Sequence, residues 1–203
     1  MTEKAFQDYY PEYFAHCYGC GSMNGLGYQI KSVWDGEESV CHFQPKSYYT
    51  ALSGYVYGGL LASLVDCHGT GTAAAAGYRS ENRPMDTEPP LRYLTASLHV
   101  DYLKPTPMGH VLEIRAKVKA VKGRKVVIEE WIVVNGVITV RGEVVAVQVP
   151  EQLVKELLLK DKGIRDKEWI KRAGAPGKVR KNRKTVCRWH FSCSGAVSGW
   201  GPS

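Results

Sequence analysis

"YGGLLASLVDCHGTGTAAAAG", residues 57–77, decides how the rest of the chain must be arranged. It carries Leu, Val, Ala and Gly on nearly all sides at helical spacing, so it predicts a helix that is buried all round rather than one with a wet face. A helix of that kind needs a wrapping layer. The flanking sequence supplies one in short strands.

Downstream, "HVLEIRAKVKAV" alternates Leu112, Ile114, Ala116, Val118 and Ala120 with Glu113, Arg115, Lys117 and Lys119, the period of a half-buried strand. "KGRK" turns the chain into "VVIEEWIVV", and Asn135-Gly136, a strong short hairpin signal, leads into "VITVRGEVVAVQV". Before these, "LTASLHVDYLKP" from Leu94 to Pro105 predicts a further strand, closed by proline. Upstream, "GYQIKSVW" and "ESVCHFQP" flank Asp35-Gly36 and predict a first hairpin. Hairpin, buried helix, then four antiparallel strands is an α+β arrangement, an antiparallel sheet wrapped around one central helix.

The formal charge of +7 on 203 residues is unevenly spread. Residues 151–203 hold 13 of the 27 Lys and Arg but only 5 of the 20 Asp and Glu. The body, residues 1–150, therefore has no surplus of positive charge for phosphate neutralisation, and nucleic acid is not expected as its partner. The first residues lack the basic start and apolar stretch of a secretory signal. The apolar run from Tyr55 to Gly77 is broken by Asp66 and His68, which are costly at mid-membrane, so no transmembrane segment and a cytoplasmic setting are expected. The expected organisation is an amino-terminal segment over 1–16, one domain over 17–150, and a basic helix and tail over 151–203.

Asp66 is the chemical anomaly of the opening stretch. If Tyr57-Gly58-Gly59 starts the helix, the free amides there form the positive end of its dipole and suit a polarised carbonyl oxygen. Asp66 lies eight residues on, about 12 Å along the axis at 1.5 Å per residue. That is too far to serve the same carbonyl, so a composite site from two copies of the chain follows if both elements are catalytic. The structural alternative is a carboxylate paired with a buried donor such as His68. "GTGTAA" from Gly69 mimics a dinucleotide fingerprint but lacks the preceding strand that motif requires.

Three segments together carry a family resemblance over residues 17–149. "GYVYGGLLASLVDCHGTGTA" resembles the signature of the hotdog-fold acyl-CoA thioesterases of the phenylacetate (PaaI-like) type, in which a Gly-Gly pair is followed by Asp at the spacing seen between Gly58 and Asp66. "CYGCGSMNGLGYQI" and "LTASLHVDYLKPTPMG" are similar to two further stretches of that family, in the same order. The resemblance implies hydrolysis of an acyl-CoA thioester in a homodimer, with a tetramer left open and no cofactor. It also implies site roles: the Gly58 amide, with Gly59 beside it, holds the thioester oxygen; Asp66 of the other subunit acts as base or nucleophile; Thr95 orients the attacking water; and Lys104 meets a phosphate of the carrier. The chain departs from the family at Tyr57, where His is usual, and at Ala51, where Asn or Gln is frequent. Tyr57 keeps a hydroxyl donor in the set of expected catalytic residues, and its presence keeps a second reading, acyl-CoA binding without turnover. A third, an acyl-thioester hydratase, would need His68.

Cys17 and Cys20 form a Cys-x-x-Cys pair, and Cys187, His190 and Cys193 have a spacing compatible with zinc. The two groups lie far apart in differently composed regions, so packing is the expected role of Cys17 and Cys20, with no metal.

Overall fold

In the computed structural model, which describes residues 4–156, a six-stranded sheet curls around one long helix. The strands are β1 (Ser32–Asp35), β2 (Glu38–Phe43), β3 (Tyr93–Tyr102), β4 (Leu112–Lys122), β5 (Lys125–Val134) and β6 (Val137–Gln148), and the helix, α1, spans Gly58–Ser80. The spatial order is β1-β2-β4-β5-β6-β3, with every neighbouring pair antiparallel. This is the α+β hotdog architecture.

Period-two alternation places the core. On β4, Leu112, Ile114 and Ala116 are fully buried, and on β5 Val126, Ile128, Glu130, Ile132 and Val134 point the same way. Against them lie Leu60, Leu61, Leu64, Val65, Ala73 and Ala74 of α1. Each fully buried leucine stabilises the fold by roughly 2 kcal/mol relative to exposure. Close approach is made possible at Gly142 of β6, where a Cβ would come within 2.5 Å of Val65. Asn135 and Gly136 both have positive φ, 50° and 75°, the geometry of the two-residue hairpin turn expected from their sequence.

Two boundaries differ from the sequence expectation. The first hairpin starts at Ser32 rather than near Gly27, because Tyr28 and Ile30 donate their amides to the carbonyls of Tyr18 and Gly19 instead of joining the sheet. The β3 strand ends at Tyr102, where the Leu103 and Lys104 amides both turn to the Thr139 carbonyl.

Residues before 17 fold onto the body through two short 3-10 turns, Phe6–Tyr9 and Glu12–Phe14, that bury Phe6, Gln7 and Phe14. A helical turn begins at Glu151, and Val154 packs against Phe14 and Val149. The basic tail, with Cys187, His190 and Cys193, lies outside the described residues. Among the described residues no helix is long and apolar enough to cross a membrane.

Candidate active site

The site forms where α1 meets the outer edge of the sheet. β3 pairs only with β6, so its other edge is open, and most of its side chains are exposed. A register shift between Thr95 and Ser97 inserts one extra residue. Such a bulge switches the alternation of the strand, so Thr95 faces the helix together with Leu98, Val100 and Tyr102. Thr95 accordingly donates its hydroxyl hydrogen bond to Oδ1 of Asp66, a half-buried residue on α1. Sequence reading placed both residues in the site without indicating that they touch.

Tyr57 caps the helix start with its backbone, its carbonyl accepting from the Leu60 and Leu61 amides. The Gly58 and Gly59 amides find no acceptor among the described residues. These two N–H groups sit at the positive end of a 23-residue helix. The Tyr57 ring folds back over Gly59 so closely that a Cβ there would lie 2.4 Å from it. A side chain at position 59 would push the exposed Tyr57 ring aside. On the other side, the Tyr102 hydroxyl donates to the Gly58 carbonyl at 2.9 Å, tying the helix start to the β3 edge. Tyr102 was missed in sequence; the signal was its place in "HVDYLKP", two residues before Lys104.

Lys104, Gly58, Leu52, Tyr55, Tyr102 and Thr106 line a groove of about 400 Å³ in front of the helix start. Ala51 also borders it, with a methyl group as its whole side chain. A larger, more open hollow of about 700 Å³ lies between Pro45, Ser47, Met108 and Gly109 and has no titratable side chain in its wall.

Asp66 does not pair with His68. The His68 ring is fully buried, with Nδ1 2.9 Å from Ser32 Oγ and Nε2 3.1 Å from Ser39 Oγ. Gln7 braces Ser32 from the other side, and Thr72 meets Ser39 at 2.6 Å. Burial pushes the His68 pKa down from 6.5 to about 4, so it is a neutral, satisfied core residue at pH 7. It has no exposed surface.

A residue that sequence reading overlooked stands behind Asp66. Glu130 is fully buried, and neither carboxyl oxygen has a hydrogen-bond partner. Its pKa is raised well above the ordinary carboxylate value, first by burial and then by the Asp66 charge. Burial and the neighbouring carboxylate both work against a second negative charge at Glu130. Strict alternation in "VVIEEWIVV" was the signal, since one of two adjacent glutamates had to point inward.

Cys17 and Cys20 meet a third cysteine, Cys67, on α1; the three sulfur atoms lie within 4.8 Å of one another. Hydrogen bonds from the Cys20 and Cys67 thiols pull the Cys17 pKa far down, and the same contacts push Cys67 up.

The family model of the thioesterase superfamily matches residues 53–130. A solved structure of a thioesterase superfamily protein from Shewanella loihica is 48% identical, covering 61% of this chain and 93% of that one with a TM-score of 0.50. The Escherichia coli PaaI protein of the phenylacetic acid degradation operon shares the fold, with a TM-score of 0.50 at 16% identity over 61% of this chain and 81% of that one. Among curated proteins, the acyl-coenzyme A thioesterase THEM4 of Xenopus laevis is 33% identical over 106 residues, 51% of this chain and 42% of that protein. Its counterpart in Rattus norvegicus is 30% identical over 103 residues, 50% of this chain and 39% of that protein. The fold, the helix signature and the Shewanella match define the class: this chain belongs to the thioesterase superfamily and has its hotdog fold. The match spans only about two fifths of the length of the curated THEM4 relatives.

Proposed function

We propose that the protein hydrolyses acyl-CoA thioesters as a homodimer, with Asp66 of one subunit acting on a thioester held at the Gly58 helix start of the other. The observation that carries this reading is the Thr95–Asp66 hydrogen bond at the open edge of β3, on the same helix whose first amides are free. Within one chain these elements are about 12 Å apart along the helix axis, too far to share one carbonyl. A second subunit added at the β3 edge, where Leu94, Leu98 and Tyr102 are 54%, 39% and 54% exposed, brings a second helix start toward Asp66. The thioesterase names of the relatives support the reaction type.

In this mechanism the Asp66 carboxylate takes a proton from a water that Thr95 helps to orient. The water oxygen bonds to the thioester carbon, and the carbonyl oxygen collects charge facing the partner's helix start, where the Gly58 and Gly59 amides stabilise it. The C–S bond then breaks. Thiols ionise near pH 8.5, so CoA leaves as a thiolate without a strong general acid. Lys104, on the rim of the groove, meets a phosphate of the carrier, and the Tyr57 hydroxyl stands beside the amides where the family usually has His.

The test is thiol release from short, medium, long and aromatic acyl-CoAs by wild type and Asp66→Asn. Hydrolysis that falls at least about a hundredfold in the variant is expected for a lost acid–base group. Binding without cleavage by the wild type favours the second reading, a site in which the Tyr57 ring over Gly59 keeps the helix start for binding alone.

A further inference from the structure

We propose that Cys17, Cys20 and Cys67 form a binding site for one soft divalent cation, zinc above all, clamping the amino-terminal Cys-x-x-Cys turn to the turn of α1 that carries Asp66. The argument begins with distance. Zinc–thiolate bonds of about 2.3 Å arranged tetrahedrally put neighbouring sulfur atoms about 3.8 Å apart. Cys17 Sγ and Cys67 Sγ are 3.7 Å apart, and all three sulfurs fall within 4.8 Å. A pair of cysteines three residues apart in sequence with a third from a distant helix is a chelating geometry, because ligands fixed by separate elements need little movement to close on an ion.

The surrounding backbone is built for this approach. A Cβ at Gly19 would sit 2.2 Å from the Cys67 sulfur, and one at Gly21 would sit 2.4 Å from the Ala15 carbonyl oxygen. Both positions therefore have to be bare for the turn to reach the helix. The turn is then held in place: the Gly21 amide donates to the Cys17 carbonyl at 2.8 Å, and the Tyr28 and Ile30 amides donate to the carbonyls of Tyr18 and Gly19.

Charge supplies an independent observation. Three thiolates around a dication carry one net negative charge. Beside the cluster stands Arg92, whose guanidinium lies 4.8 Å from the centre of the Tyr10 ring and interacts with Cys20. A guanidinium enclosed this far favours a negative charge beside it. A metal–thiolate group with one negative charge balances the guanidinium. Three thiolates leave the fourth tetrahedral position to a solvent molecule or small anion on the side of Cys17, the half-buried member of the three.

The experiment uses the full-length chain carrying Cys187→Ser and Cys193→Ser, so that cysteines of the tail add no ligand. After chelation under reducing conditions the protein is titrated with Co²⁺ and then Zn²⁺. The expected result is one equivalent of Co²⁺ with thiolate-to-cobalt charge-transfer absorption and the visible bands of a tetrahedral ion, displaced by Zn²⁺. Cys67→Ser should weaken binding at least about a hundredfold, beyond the loss seen for outer-shell partners, while Cys41→Ser, a buried cysteine outside the cluster, should not. Cys17→Ser in the peripheral turn serves the same purpose if Cys67→Ser does not fold. The proposal is overturned if the reduced chain shows no charge-transfer band, or if Co²⁺ binds as well to Cys67→Ser and Cys17→Ser as to Cys41→Ser. A Cys17–Cys67 disulfide in protein prepared without reductant, with no metal uptake after reduction, overturns it in favour of a thiol pair.

Discussion

Replacing Glu130 by Gln should change how stability depends on pH more than it changes stability at any one pH. In the unfolded chain Glu130 loses its proton near its ordinary value of 4.5, whereas in the folded chain burial, helped by Asp66, keeps the proton to a higher pH. Between those two points the folded state binds one more proton than the unfolded state. Unfolding free energy therefore falls as pH rises, by about a tenfold step in the folding constant for each pH unit in which folded Glu130 stays protonated. His68 runs the other way. Its pKa is lowered from 6.5 to about 4 by burial, so the unfolded state binds the extra proton between those values. The His68 contribution is complete above pH 6.5 and is lost as pH falls toward 4, amounting to about 3 kcal/mol across the window. In wild type the two slopes oppose each other from about pH 4.5 upward, for as long as both the folded Glu130 proton and the His68 window persist. In Glu130→Gln the Glu130 slope is gone while every other titrating group is shared, so the stability of the variant relative to wild type should rise with pH from about 4.5 for as long as folded Glu130 keeps its proton. Urea unfolding followed by tryptophan fluorescence, at fixed protein concentration and half-unit steps from pH 5 to 8, reads the difference between the two proteins. A difference that stays constant between pH 5 and 6.5 would refute the placement of Glu130 as a buried, protonated acid.

Three further substitutions test the site. Thr95→Val removes the hydroxyl that bonds Asp66 while keeping its shape; kcat should fall at least about tenfold, the loss of one hydrogen bond to a charged group, with KM little changed in steady-state assays. Tyr102→Phe cuts the tether to the Gly58 carbonyl and should cost about 1 kcal/mol in transition-state binding, seen as a several-fold drop in kcat/KM, with thermal stability near wild type. Leu98→Arg places a charge on the exposed, helix-facing side of β3; sedimentation should show half the wild-type mass, and activity should be lost with the dimer although Asp66 and Gly58 are intact. An active monomer would remove the need for a shared site.

The fold was legible because its two periods are clean. An apolar run at helical spacing with no wet face predicts a wrapped helix, and alternation in residues 112–120 predicts its wrapping, with each turn marked by glycine or asparagine. The beginning of β1 was not legible, since Tyr28 and Ile30 look like strand residues but spend their amides on the loop at Tyr18 and Gly19. Around the site, the residue types at positions 58, 66 and 95 could be singled out from their spacing and resemblance, but their contacts could not. The link between Thr95 and Asp66 depends on a bulge of one residue, which changes the facing of the strand without changing its composition. Glu130 was hidden by its neighbour: of two adjacent glutamates, alternation says that one is buried, and only the register with Ala116 and Gly142 says which.

The same geometry explains why the helix carries polar side chains at three successive positions and still has no wet face. Consecutive residues on a helix point about 100° apart. Asp66, Cys67 and His68 are thereby sent to three different walls: Asp66 to Thr95 at the open edge of β3, Cys67 to the Cys17–Cys20 turn, and His68 to the serines of β1 and β2. Glu130 meets the helix on a fourth side, where Gly69 is bare and a Cβ would lie 2.1 Å from its Oε1. An amphipathic helix could offer only one such direction to its surroundings. A fully wrapped helix offers all of them, at the condition that each polar group finds a partner in the wall it faces. His68 meets that condition with two hydroxyls and Asp66 with one plus the open edge, whereas Glu130 meets it only by keeping its proton. The carboxylate in the opening stretch is therefore tolerated in a buried helix because its direction is the one left open, at the unpaired edge of β3, which is the edge the proposed dimer would cover.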